Sequence, residues 1–206
     1  MLFRSARRKL KCVINEQCRQ ASSAGLRAVA VTLTYRNPAA FASKHISGYL
    51  DRVRRILKRQ GCGLPYLWVL ERATTLHYHL LLWLPRTYKL DPKWISKCWL
   101  WGSTWVDGCR SARAWGRYIA KCGGVAALPK GARIYGYGGL DNAGKTAVSR
   151  AALPRWILPL LPASHRARRC PGGGWVDCTT GEVFQSPYRW TPWGAVLAIV
   201  SPPTCH

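Results

Sequence analysis

The stretch TLHYHLLLWL, residues 75–84, decides how this chain folds. Successive side chains of an extended strand point to opposite faces. Leu76, Tyr78, Leu80, Leu82 and Leu84 therefore line one apolar face that has to be buried under helices. His77 and His79 project together from the other face, two positions apart, with both imidazoles within reach of one ion. Neutral imidazole is a common ligand for divalent metals. Taken alone, the pair reads equally as surface or packing histidines.

Working outward, residues 66–71 (YLWVLE) read as a preceding strand joined to this one by a short turn, and Glu71 closes it. Only eight acids occur in the chain, so an acid ending an apolar strand is conspicuous. In a hairpin its carboxylate can complete a site of two histidines and one acid, or it can pair with Arg72. The turn register decides which, and the sequence does not fix it. Upstream, residues 28–35 (AVAVTLTY) alternate as a strand, with Val29, Val31 and Leu33 on one face and Thr32 and Thr34 on the other. Residues 43–60 form a helix: Ile46, Tyr49, Leu50, Val53, Ile56 and Leu57 fall at helical spacing, and Ser43 is placed to cap it. Arg52, Arg55, Lys58 and Arg59 occupy its solvated side.

Downstream, residues 92–101 read as a second helix, 103–107 as a short strand, and 111–122 as a third helix stopped at Gly123-Gly124. The order β-α-β-β-α-β plus a helix is that of a split βαβ, ferredoxin-like unit. The expected fold class is α+β, a central antiparallel sheet with helices on one face. Residues 1–27, with Arg4, Arg7, Arg8, Lys9, Lys11 and Arg19, read as a basic, partly helical N-terminal arm. After Pro129 the chain turns rich in Gly, Pro, Trp and Arg, so residues 146–206 read as an irregular C-terminal extension.

Composition bounds the partner. Lys and Arg number 32 against 8 Asp and Glu, a net charge of +24. Such a chain seeks polyanions, which argues against most enzymes of small neutral substrates. Eleven tryptophans and nine tyrosines add faces on which unpaired bases stack. Nine cysteines without a CxxC pair suggest neither a disulfide framework nor a zinc site, which points to a reducing cytoplasm. No apolar run approaches the roughly 20 residues of a membrane span.

In the third helix Tyr118 and Lys121 lie at i and i+3, so phenol and ammonium point together, flanking a stripe of Trp115, Ile119 and Cys122. A tyrosine beside a lysine can attack a phosphodiester when a metal polarises the phosphate. Gly138-Gly139 with Gly144-Lys145-Thr146 invites a phosphate-binding-loop reading, which the glycine spacing disfavours.

Taken in order, VTLTYR (31–36), Glu71 with His77-Tyr78-His79, and Tyr118-x-x-Lys121 resemble the three motifs of HUH rolling-circle replication initiators. The closer resemblance is to replication-initiation endonucleases of filamentous phages, through LER…HYHLLLWLP, GRYIAKC, LPKGARIYGYGGL and GGGWV…TGEVFQSPYRW, over residues 28–190. This implies an HUH endonuclease fold, with residues 28–145 as the nickase domain, in a protein of the bacterial host cytoplasm. It implies Mg²⁺ or Mn²⁺ held by His77, His79 and Glu71, Tyr118 as nucleophile and Lys121 as its helper. The implied partners are single-stranded origin DNA and the host helicase and polymerase. Many phage relatives carry a second tyrosine four residues after the first, where this chain has Cys122. A non-catalytic single-strand binding protein explains the charge and aromatics equally well but gives no reason for HYH followed by YIAK. A transposase or relaxase of the same superfamily is disfavoured by the C-terminal segment and by motif order, respectively.

Overall fold

The structure is a computed structural model that describes residues 4–59, 61–87, 91–119, 128–171 and 173–198. Two compact units divide the chain, one ending at Lys145 and one beginning at Thr146.

The first unit is built on a five-stranded antiparallel sheet. Its strands are β1 (Leu26–Tyr35), β2 (Tyr66–Arg72), β3 (Leu76–Pro85), β4 (Gly102–Gly108) and β5 (Tyr135–Gly138), in the spatial order β4-β1-β3-β2-β5. The first four reproduce the order of a split βαβ unit, with β3 lying between β1 and β2. The α+β, ferredoxin-like class expected from the pattern is the one observed. Alternation along β1 buries Val29, Val31, Leu33 and Tyr35 on one face. Helix α2 (Lys44–Arg59) seals that face with Ile46, Tyr49, Leu50, Val53 and Leu57, and α3 (Pro92–Cys98) adds Ile95. Tyr35 and Tyr78 each meet Trp99 edge-on within this core and lie tilted to each other, with ring centroids 5.0–6.2 Å apart.

Helices cover both faces of the sheet, which corrects the expectation of one. The segment read as a basic arm is helix α1 (Arg4–Ser23), and it lies on the histidine face. The link is direct: Trp83, of the same parity as His77 and His79, donates its indole N–H to Gln17 at 2.9 Å. Gln17 is itself buried and donates to the carbonyls of Tyr66 and Gly138 at 2.9 and 3.2 Å. Leu10, Val13, Ile14, Gln17 and Ala21 fall at i, i+3, i+4, i+7 and i+11, and all are buried. Each of the three large aliphatics contributes roughly 1.5–3 kcal/mol at full burial, so the helix is held by its apolar stripe, with Arg8 and Arg19 left exposed.

Strand β5 is a second departure. It lies in the Gly-rich stretch after Pro129, where no strand was expected, yet it pairs with β2 in the register Trp68↔Gly136 and Tyr66↔Gly138. A Cβ on either glycine would run into the ring of Trp68 or Tyr66. The missing side chains are what let these aromatics lie across the edge strand.

The second unit is more regular than its composition suggests. It holds the end of helix α5 (Asn142–Ala151), a three-stranded sheet of β6 (Ala167–Arg169), β7 (Trp175–Asp177) and β8 (Val183–Phe184), and a hairpin of β9 (Tyr188–Thr191) and β10 (Gly194–Leu197). Leu153, Ile157, Leu161 and Ala167 form its core. One guanidinium group, that of Arg150, collects the carbonyls of Leu158, Leu161, Pro162 and His165. Buried Asp177 accepts from the amide of Thr179 and meets His165 Nδ1 at 2.7 Å.

Candidate metal centre and its tyrosine

The β2–β3 hairpin settles the register left open by the sequence: Glu71 stands directly opposite His77, and Val69 opposite His79. Directly paired residues of an antiparallel ladder point to the same side. Glu71 therefore joins the two histidines on one face, at the turn end of the sheet. Glu71 Oε2 lies 3.2 Å from His79 Nε2 and 3.6 Å from His77 Nε2, and the two Nε2 atoms are 3.1 Å apart. The three side chains are 15–20% exposed, so the cluster is shielded but open to a ligand.

The outer ring nitrogens are also engaged. His77 Nδ1 is 3.3 Å from the carbonyl of Thr75, and His79 Nδ1 is 3.4 Å from Thr32 Oγ1 on β1. Such contacts at Nδ1 fix ring orientation and turn Nε2 inward, as in histidines that bind metals. Burial, and next the neighbouring His77, pushes the His79 imidazole below its ordinary pKa, against the pull of Glu71. A neutral imidazole is the form that binds a cation.

Two nitrogen donors and a carboxylate oxygen converge at 3.1–3.6 Å, a spacing at which all three can face one cation. Adjacent ligands of a small octahedral cation stand roughly 3 Å apart when each bond is about 2.1 Å. The donor set thus fits one divalent cation, and its mixed imidazole and carboxylate chemistry suits a first-row metal or magnesium.

Tyr118 reaches the cluster from helix α4 (Ala112–Ile119). Ser111 starts this helix, its Oγ accepting from the Ala114 amide at 3.2 Å. The buried stripe is Ala112, Gly116 and Ile119, with Trp115 only half-buried, which shifts the stripe expected from sequence by one row. Gly116 lets α4 approach α1, because a Cβ there would overlap the side chain of Ile14. This close approach leaves Tyr118 off the stripe, 62% exposed, with its ring centroid 6.4 Å from that of His79. Lys121, Cys122 and the Gly123-Gly124 stop lie outside the described residues.

Two features of the neighbourhood were not singled out from sequence. Trp105 on β4 pairs with Thr32, which pairs with His79, so all three share a face and the indole sits two strands, about 10 Å, from the histidine. It is 70% exposed. Its parity within β4 was legible, but only the strand order places it beside the site. A recess of about 550 Å³ lined by Asp107, Arg110, Ala114, Trp115 and Tyr118 opens next to the phenol.

Other expectations resolve simply. Arg52 is no solvated residue: it donates to the Cys98 carbonyl at 2.9 Å and lies over the Trp101 ring. Asp141 stands where a phosphate-binding loop would hold its anion, accepting from the Gly144 amide and pairing with Arg19. The seven cysteines among the described residues are free thiols, and no described helix is long and apolar enough to cross a membrane.

The molecule is thus an α+β protein whose split βαβ sheet carries a candidate metal centre with a tyrosine beside it. Residues 28–122, running from β1 past α4, match the model of a family described as replication-associated protein ORF2. That match supports a replication initiator acting on DNA, and it contains Glu71, His77, His79, Tyr118 and Lys121. No curated protein and no solved structure matches the chain.

Proposed function

We propose that this protein is an HUH-type nickase of the phage replication-initiator kind, cutting one DNA strand at an origin to start rolling-circle replication. The observation that carries the reading is the convergence of Glu71, His77 and His79 on one point, with the Tyr118 ring beside His79, in a chain of net charge +24. Non-catalytic binding of single strands accounts for the charge but not for this cluster.

A divalent cation such as Mg²⁺ or Mn²⁺, held by Glu71, His77 and His79, would polarise a phosphate oxygen and stabilise the charge that builds there. Thr75 and Thr32 keep the imidazoles aimed inward. Tyr118 attacks phosphorus: the phenol oxygen–phosphorus bond forms as the bond to the 3′-oxygen breaks. The phenol proton passes to solvent, and the leaving oxygen takes one up to become a 3′-OH. The strand's 5′-phosphate stays on Tyr118, and the 3′-OH is the primer for a host polymerase, with a host helicase opening the duplex. A free phenol titrates near about 10, so the nucleophile needs nearby positive charge. Arg110 lines the recess beside it, and Lys121 follows three residues later in sequence. With Cys122 at the position of a second tyrosine, each chain makes one covalent link.

The test is incubation of the full chain with single-stranded DNA from the origin region of its own replicon and Mn²⁺, followed by a denaturing gel and peptide mapping. A DNA–protein adduct at Tyr118, abolished by chelator, is the expected result. Cleavage without an adduct, or an adduct at Tyr135, Tyr137 or Cys122, defeats the assignment.

A further inference from the structure

The second unit contains an open cavity of about 770 Å³ that none of the chemistry above uses. Three arginines, Arg155, Arg169 and Arg189, line it together with three aromatics, Trp156, Trp175 and Tyr188. Arg169 on β6 pairs directly with Trp175 on β7, and its guanidinium lies 5.9 Å from the indole centroid. Arg155, Arg169 and Arg189 are exposed, as is Tyr188 at 44%. Trp156 and Trp175 are half-buried against the small core.

The charge balance is one-sided. The only acids from Thr146 onward are Asp177 and Glu182, and neither lines the cavity. Asp177 is 1% exposed and engaged with His165. A concave site lined by cations and aromatic faces suits a ligand that offers phosphates and flat rings together. Duplex DNA offers the phosphates but keeps its bases stacked inside, whereas single strands offer both. An acidic peptide would satisfy the arginines and leave the aromatic faces bare.

We propose that this cavity is a second binding site for single-stranded DNA, formed by residues other than those of the nicking centre, which gives the C-terminal unit a role in holding the strand. The choice of DNA over RNA rests on the reading that the chain acts on DNA. The aromatics stack on bases without reading sequence, and the arginines neutralise the backbone between them.

The test uses the full chain and fluorescein-labelled oligo(dT). In the triple variant Arg155→Gln, Arg169→Gln, Arg189→Gln, the slope of log affinity against log salt should fall by about 2, since each single-strand phosphate contact contributes about 0.7. Tyr188→Ala should weaken binding roughly fivefold or more, the effect of losing one stacked base. With the unaltered protein, 5-bromodeoxyuridine-substituted oligonucleotide should crosslink to Tyr188, Trp156 or Trp175, a result that does not depend on any variant folding. An unchanged salt slope in a folded triple variant, or crosslinks confined to residues before Thr146, overturns the site. Tighter binding of the matching RNA overturns the assignment to DNA. Failure of the nickase reading looks different: no Tyr118 adduct forms, while oligo(dT) binding still depends on the three arginines.

Discussion

At the turn end of the histidine face stand Glu71, His77, His79, Thr32 and Thr34, all half-buried and polar. Two to four residues further along the same strands, on the same face, stand Leu67, Leu81 and Trp83, all at 5% exposure or less. Nothing in the backbone distinguishes the two ends. Helix α1 does: it covers the dry end with an apolar stripe and one buried glutamine, which is bonded to Trp83, Tyr66 and Gly138. α4, drawn in against α1 at Gly116, then presents Tyr118 to the end left open. One helix thus stabilises half of a sheet face and, by where it lies, leaves the other half available for chemistry. Stability and activity are therefore expected to separate along a single strand.

The largest effect expected is on activity at the open end. Tyr118→Phe removes all covalent adduct, and because the ring is exposed it leaves the denaturant midpoint nearly unchanged, within about 0.5 kcal/mol of stability. An adduct surviving in that variant would break the division of labour on the chemical side. At the sealed end the converse holds. Leu81→Ala, two residues beyond His79, costs about 2–5 kcal/mol in urea unfolding, because a fully buried leucine leaves a cavity. A cost as small as that of His79→Ala would show that α1 does not pack as described.

Gln17→Leu tests the polar tie. It strands the Trp83 indole N–H and one or both of the carbonyls of Tyr66 and Gly138, a loss of about 1–3 kcal/mol with adduct formation retained in the folded fraction. Trp105→Ala, beside the open end, leaves stability unchanged and weakens single-strand binding roughly fivefold, as expected for one lost stacking partner. Smallest is a pH effect. Folding holds His79 below its ordinary pKa, so the unfolded chain binds the more protons. Its contribution to stability is present above about pH 6.5 and declines as the pH falls further. Urea midpoints from pH 7.5 to 5.5 should fall more steeply for the native sequence than for His79→Gln.

Much of this was written in hydrophobic periodicity. β1, α2, β2 and β3 follow from alternation and helical spacing, and the topology follows from their order. The α1 stripe at residues 10, 13, 14, 17 and 21 was equally present, but the density of arginine and lysine made the segment read as an arm. Charge says what a surface meets, whereas spacing says which face is buried. The glycines of β5 concealed a strand for another reason: their neighbours Trp68 and Tyr66 supply the packing that glycine lacks, and those contacts exist only across the sheet. The place of Glu71 depended on a register set by the short turn through Ala73 and Thr75. Trp105 required the strand order. β5 and Trp105 take their places from pairings between segments distant in sequence, which single-strand patterns do not carry.

The central claim is that the open end of the sheet is built to hold one cation. Calorimetric titration of the metal-free protein with Mn²⁺ tests it without any DNA. The account predicts one ion bound per chain, with that binding lost in Glu71→Gln and in His77→Ala while the circular dichroism spectrum and urea midpoint stay close to those of the parent. No uptake by the parent, or equal uptake by both variants, would contradict it.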